Sequence, residues 1–273
     1  HQMTALSLTR RTLFATLAAL SAAAAMPLSA AQAQDAIRIG VMAGETEEVF
    51  KTVAEEAAKQ GLTLTIVPFS DYIQPNEALA NGEIDANAFQ HGPYLEAQIQ
   101  QHGYAIEPVG YTLIQPIGLY TRKYGSVAEI PDGAQIGIPN DPSNGGRALK
   151  LLEHEGLIKL RPDAGVLATA IDVEENPKNI RIQELDAGIV GRAIDDLDAA
   201  VVNTDWAFKA GLTAEGDRIA IEPLEDNPYR NFIAVRSEDK DKPWVKTLVS
   251  SFQNQPVADA LETVYKGTTL PAW

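Results

Sequence analysis

The sequence predicts an α/β protein of two lobes with like topology and a ligand cleft between them. Three observations point there. A strand–helix–strand–helix–strand pattern occupies residues 37–88, and similar grammar returns from Ala134 to about Val202. Corresponding segments carry corresponding turn residues, so that Gly82-Glu83-Ile84-Asp85-Ala86 is answered by Asp195-Asp196-Leu197-Asp198-Ala199. Between Phe69 and Tyr94, amphipathic aromatics crowd into turn-rich chain. In open α/β sheets, ligands bind beyond the carboxyl ends of the strands, where such segments lie.

The totals exclude several function classes. With 273 residues, 45% hydrophobic and 22% charged, the chain is ordinary globular material, large enough for two lobes. Its formal charge of −15 repels nucleic acid and anionic lipid, yet a single buried arginine can still hold an anion. There is no cysteine, which removes disulfides, thiolate metal sites and a cysteine nucleophile. His1, His91, His102 and His154 are scattered, and His154-Glu155 lacks the second histidine of a zinc-protease helix. Neither a metal nor a cofactor is expected.

Taken in order, the chain opens with His1-Gln2, read as a cloning remnant ahead of Met3. Arg10-Arg11 and an Ala-rich apolar run to about Leu28 follow, and Ala31-Gln32-Ala33 supplies the small residues of a signal-peptidase site. Residues 1–33 are therefore expected to be an export signal, with LTRRTLF a partial match to a twin-arginine signal and Sec export the other route. A transmembrane anchor is the bland alternative; Ser21 and Pro27 interrupt the run, which is short for a bilayer span.

Ile37–Val41 reads as a buried strand, and Thr46 can cap a helix beginning at Glu47 with an apolar stripe through Val49, Phe50, Val53 and Ala57. Gly61 stops that helix. Leu62–Val67 is the next strand, a helix covers about Asn76–Asn81, and a short strand runs near Ile84–Ala88. Pro93 starts a helix that ends at His102-Gly103. Tyr104–Val109 and Thr112–Tyr120 read as strands. In the second unit, Gln135–Ile138 is a strand, NDPSNGG its loop, and Arg147–Glu155 its helix. NPYRNFIAVR returns the chain to the first lobe, and two helices, from about Trp244 and Pro256, finish it at Lys266-Gly267. The expected division is residues 36–117 plus 227–273 for the first lobe and 118–226 for the second.

Several residues could carry chemistry. Arg147 is placed at a helix start after a glycine-rich loop, where a guanidinium can grip a carboxylate bidentately; a surface arginine near a turn is the alternative. Asn203 ends the apolar strand AAVV and offers both a donor and an acceptor, or else it caps the next helix. Asn231 sits inside a strand-like run, which points to a ligand contact or to a bulge or edge position. Tyr72, Phe89, His91 and Tyr94 could cage an apolar or polarizable tail, although aromatics at this spacing also build cores. No catalytic set appears: GxSxG and GxxxxGK are absent, and the matched positions of Asp85 and Asp198 suit structural turns.

With DYIQPNEALANGEIDANAFQHGPYL, IPNDPSNGGRALKLLEHEGLIKL, NTDWA, NPYRN and the terminal KGTTLPAW, the chain resembles the D-methionine-binding NlpA family over essentially its whole mature length. The resemblance implies a type II periplasmic-binding-protein fold, no enzyme activity, and delivery of a small-molecule ligand to a membrane ABC permease with its ATPase. It further implies that Arg147 holds the ligand carboxylate, that Asn203 and Asn231 hold its carboxylate or ammonium, and that Tyr72, Phe89, His91 and Tyr94 surround a thioether. Members are often lipoproteins tethered through a cysteine; without one, a freely diffusing periplasmic monomer is expected. NTDWA departs from relatives that carry Asn and Tyr where this chain has Asp205 and Trp206, which leaves the ligand open among methionine of either hand, a dipeptide or another small amino acid. A receptor for another small organic anion and a secreted enzyme on the same two-lobed fold are the remaining alternatives.

Overall fold

The computed structural model describes residues 35–273; the expected export signal and its cleavage site lie outside the described residues. In chain order, the first lobe contributes β1 (Asp35–Met42), α1 (Glu45–Lys59), β2 (Leu62–Phe69), α2 (Gln74–Ala80), β3 (Ala86–His91), α3 (Gly92–His102), β4 (Ile106–Tyr111) and β5 (Leu113–Ile114). There follow β6 (Gly118–Tyr120), β7 (Gln135–Pro139), α4 (Pro142–His154), β8 (Lys159–Leu160), β9 (Val173–Glu175), β10 (Arg181–Leu185), α5 (Ala187–Val190), β11 (Ala199–Val202), α6 (Thr204–Lys209) and β12 (Arg218–Ile221). The chain closes with β13 (Asn231–Arg236), α7 (Pro243–Phe252), α8 (Gln255–Tyr265) and β14 (Leu270–Pro271).

Two five-stranded sheets share one plan, β2-β1-β3-β13-β4 and β10-β7-β11-β6-β12. In each, three parallel strands are joined by a fourth, antiparallel strand that the chain lays down on entering or re-entering the lobe: β6 beside β11, and β13 beside β3. The repeat reaches individual atoms. Arg38 N donates to Asp85 Oδ2 at 2.9 Å, and Gln135 N donates to Asp198 Oδ2 at 2.7 Å, each just before the third parallel strand. Both aspartates therefore satisfy backbone amides at a strand entry, as their matched positions suggest.

Each lobe has its own apolar core. Val49, Phe50 and Val53 of α1 pack with Leu248 and Phe252 of α7, Leu261 and Tyr265 of α8, and Ile39 and Val41 of β1. In the second lobe, Leu149, Leu151 and Leu152 of α4 cover Ile136, Ile138 and Val201. Burial of each such large side chain contributes roughly 1.5–3 kcal/mol. A further cluster joins the lobes: Met42, Phe89 and Tyr94 from the first meet Val190, Val202 and Trp206 from the second, so the cleft is closed.

Several elements differ from the sequence expectation. Helix α1 begins at Glu45 with Gly44 (φ 98°) as its cap, a conformation that glycine adopts without strain, and Thr46 lies inside the helix. Helix α4 begins at Pro142, not at Arg147. Asp141 caps it by accepting from Asn144 N at 3.0 Å, so the segment NDPSNGG is mostly helix. Its glycines serve packing: a Cβ on Gly146 would run into the Val166 carbonyl oxygen. Strand β3 is displaced to Ala86–His91, which puts Phe89, Gln90 and His91 in a central buried strand. The expected strand 112–120 breaks into β5, paired with β14, and β6, in the other lobe. Pro116 has no N–H to continue a ladder, and the chain crosses between lobes there.

Candidate functional site

Tyr72, Phe89, His91, Tyr94, Arg147, Asn203 and Asn231 all line one interlobe cavity, together with Gln90, Gln115, Asn144 and Thr204. It encloses about 390 Å³ of non-atom space when its mouth is included. The first wall is set by β3. Two residues of β3, Ala88 and Phe89, oppose the single Ile233 of β13 there, a bulge between Asn87 and Gln90, which both reach Asn76 in α2. Asn76 Nδ2 donates to Gln90 Oε1 at 2.8 Å, Gln90 Nε2 donates back to Asn76 Oδ1 at 2.8 Å, and Asn87 Nδ2 donates to Asn76 Oδ1 at 3.0 Å. Closed on itself, this buried amide network holds the wall rigid behind the cavity.

One end of the cavity is aromatic. The Tyr72 ring lies 6.2 Å from Phe89, 6.0 Å from Tyr94 and 5.8 Å from Trp206, mostly edge-on, and Phe89 meets Tyr94 at 5.8 Å. Tyr94 Oη donates to the Tyr72 carbonyl at 2.7 Å, and burial pushes both phenol pKa values up, so both stay neutral.

The other end is polar. His91 caps α3: its Nδ1 accepts from Tyr94 N at 3.2 Å, which leaves the proton on Nε2 to donate to Asn144 Oδ1 at 2.9 Å. Burial, then the nearby Arg147 charge, pushes the His91 pKa down to about 3, so the ring is neutral. Asn203 Nδ2 donates to the same Asn144 oxygen at 3.3 Å. Asn203 stands at the N-cap position of α6 without capping it through its side chain, and its Oδ1 is buried with no partner among the described residues. Asn231 starts β13 opposite His91, and its side-chain amide has no hydrogen bond among the described residues.

Arg147 is fully enclosed, in the second turn of α4. Its Nε donates to both Glu222 carboxylate oxygens at 3.0 Å, and Nη2 donates to Glu222 and to the Gln115 carbonyl. The Tyr229 ring lies 4.2 Å from its Cζ. Nη1 has no hydrogen-bond partner among the described residues. Four of the cavity's polar members, Gln90, Gln115, Asn144 and Thr204, were not singled out from sequence, and neither was Glu222. Asn144 was hidden inside a segment read as loop, and Glu222 lies 75 residues from its arginine with no motif to mark it.

A second polar knot locks the lobes beside the cavity. Thr46 Oγ1 of α1 donates to Asp205 Oδ2 of α6 at 2.7 Å, Tyr265 Oη of α8 donates to Asp205 Oδ1 at 2.6 Å, and Gln115 Nε2 reaches Asp205 Oδ1 at 3.3 Å.

The sequence profile described as NlpA lipoprotein matches residues 37–273. The chain belongs to the NlpA lipoprotein family. The match spans both lobes and every residue of the cavity. Among relatives, the D-methionine-binding lipoprotein MetQ of Salmonella typhimurium is 44% identical over 241 residues, 87% of this chain and 88% of that one. Among solved structures, a nutrient binding protein from Burkholderia cenocepacia bound to methionine superposes with a TM-score of 0.84 at 46% identity, covering 87% of this chain and all of the other. A periplasmic substrate-binding protein of an ABC transporter from Coxiella burnetii gives 0.83 at 41% identity, covering 86% of this chain and 100% of its own. The NlpA fold is thus two-lobed and α/β, and the family is one of transporter substrate-binding proteins, not enzymes.

Proposed function

We propose that this chain is the periplasmic substrate-binding protein of an ABC importer and that it takes up methionine. The observation that carries the assignment is a closed cavity with two chemically distinct ends. Arg147 Nη1, Asn203 Oδ1 and the Asn231 amide supply unpaired donors and an acceptor for an α-carboxylate and α-ammonium. Tyr72, Phe89 and Tyr94 supply ring faces and edges for a thioether, each contact contributing roughly 0.3–1.5 kcal/mol. His91 stands between the two ends. The similarity to a structure holding methionine supports the same assignment.

In this reading, residues 36–117 with 227–273 form one lobe and 118–226 the other, a division supported by the strands each sheet recruits. The lobes hinge at the two crossovers, open to admit ligand, and close on it before docking on the permease as a monomer. An acidic chain has no use for nucleic acid. The 273 residues contain no cysteine, so no thioether-linked lipid can attach within them.

Calorimetry on protein refolded free of ligand tests the assignment. Submicromolar to micromolar binding of L- or D-methionine is expected, and absence of heat with both would overturn it.

A further inference from the structure

Resting on the amino-acid reading above, we infer that Glu222 sets the ligand's net charge: by neutralising Arg147 inside the site, it makes the cavity select zwitterions and reject monoanions.

Of the residues that line the cavity, Arg147 alone carries a formal charge, since His91 is held neutral. Taken alone, that arginine would favour any carboxylate. It is not alone. Glu222, buried just behind it, engages Nε and Nη2 and also accepts from Ile117 N at 3.0 Å. The two groups enter the site as a neutral pair, with only Nη1 left to donate. The ionisable groups hydrogen-bonded to the cavity's polar lining are otherwise acidic: Asp141 accepts from Asn144 Nδ2 at 3.0 Å, and Asp205 accepts from Gln115 Nε2. Lys209 stands over the Trp206 ring and does not line the cavity.

A ligand with a carboxylate and no ammonium would therefore bring an uncompensated negative charge into a closed, low-dielectric cleft already holding carboxylates. Burying an unpaired charge is strongly unfavourable. A zwitterion brings its own compensation, and the buried, unpartnered Asn203 Oδ1 is an acceptor awaiting the ammonium. Placement of the pair adds leverage. Glu222 N donates to the Ile117 carbonyl, and Arg147 Nη2 donates to the Gln115 carbonyl, so the charge balance is built on the two crossover segments.

The test compares methionine with its des-amino analogue, 4-(methylthio)butanoate, which keeps the tail and the carboxylate. The measured quantity is the ratio of their dissociation constants in wild type, Glu222→Gln and Glu222→Asp. Because the analogue lacks the ammonium hydrogen bonds in every variant, a change in the ratio isolates the charge at position 222. Glu222→Gln is expected to shrink the discrimination about tenfold or more, while Glu222→Asp keeps it. A ratio in Glu222→Gln within about twofold of wild type, or an equal relaxation in Glu222→Asp, overturns the inference. Should Glu222→Gln fail to fold, wild type decides. Lowering the pH from 7.5 to 5 raises the neutral fraction of the analogue by about tenfold per unit, so the ratio must narrow; a constant ratio overturns it. If wild type binds neither hand of methionine, the amino-acid reading fails and the inference falls with it. If methionine binds and the ratio does not respond, the inference alone falls.

Discussion

His91 Nε2 donates to Asn144 Oδ1 at 2.9 Å, tying β3 of the first lobe to α4 of the second across the closed cleft. The same oxygen accepts from Asn203 Nδ2, which orients the Asn203 amide and turns its Oδ1 away as a free acceptor. One side-chain carbonyl thus couples closure to the polar end of the cavity.

Burial of the His91 ring makes the folded protein sensitive to acid, because protonation at Nδ1 breaks the bond from Tyr94 N and places a charge in the interior beside Arg147. The folded pKa of His91, about 3, is depressed below its ordinary 6.5, so between those values the unfolded chain binds more protons. The ring exerts no penalty above pH 6.5. As pH falls below that value, stability drops by up to about 1.4 kcal/mol per unit until about pH 3. Thermal melts of methionine-saturated protein from pH 7 to 4.5 should show a steeper decline for wild type than for His91→Gln. Asp141, whose pKa burial raises, is common to both proteins and cancels in the difference. Parallel curves would remove His91 as the titrating group.

Arg147→Ala should abolish measurable binding of every amino-acid ligand and also strand Glu222 in the interior. Breaking a buried pair from one side costs about 3–5 kcal/mol, readable as a lower denaturant midpoint. Adding Glu222→Gln should recover much of the stability and none of the binding. Equal instability of the single and double variants would show that Glu222 is solvated once its partner is gone.

At the aromatic end, Tyr72→Ala removes a ring that touches Phe89, Tyr94 and Trp206. Affinity for methionine should fall about tenfold, consistent with one or two lost thioether–ring contacts. Affinity for alanine or serine, which lack the tail, should change little in competition calorimetry. An equal loss for long and short side chains would mean that Tyr72 supports the fold and not the tail.

Thr46, Asp205 and Tyr265 do not line the cavity, and the knot touches it only through Gln115, so weakening the Tyr265–Asp205 bond should act chiefly on closure. Tyr265→Phe deletes the 2.6 Å donor to Asp205 Oδ1 and leaves a buried carboxylate short of a partner, at about 1–3 kcal/mol. Stopped-flow release should accelerate by a common factor for all ligands while their rank order holds. A change in rank order would place Asp205 in ligand recognition.

Much of this protein was legible in one dimension. Periodicity and punctuation located the paired lobes, because a strand buried on both sides must be apolar and a helix must end where glycine or proline ends it. The matched positions of Asp85 and Asp198 pointed to a shared structural role at a turn, and those aspartates do satisfy equivalent amides. The family motifs pointed to the seven residues that converge on one cavity.

Element boundaries and partnerships were less legible. A helix that tolerates Gly145-Gly146 does so because a distant loop, at Val166, presses on its backbone, and no local pattern encodes that pressure. Thr46 suits a local cap, yet its hydroxyl is taken by Asp205, 159 residues away. Arg147 stands out in the sequence as a candidate anion binder, whereas its buried partner Glu222 does not. By itself, the sequence determined the two-lobed plan, the family and the chemical kind of each cavity side chain, because these follow from residue type and spacing. Which polar groups consume one another and which remain for a ligand was decided only by the tertiary structure, because hydrogen bonding and charge compensation act between atoms that only folding brings within about 3 Å.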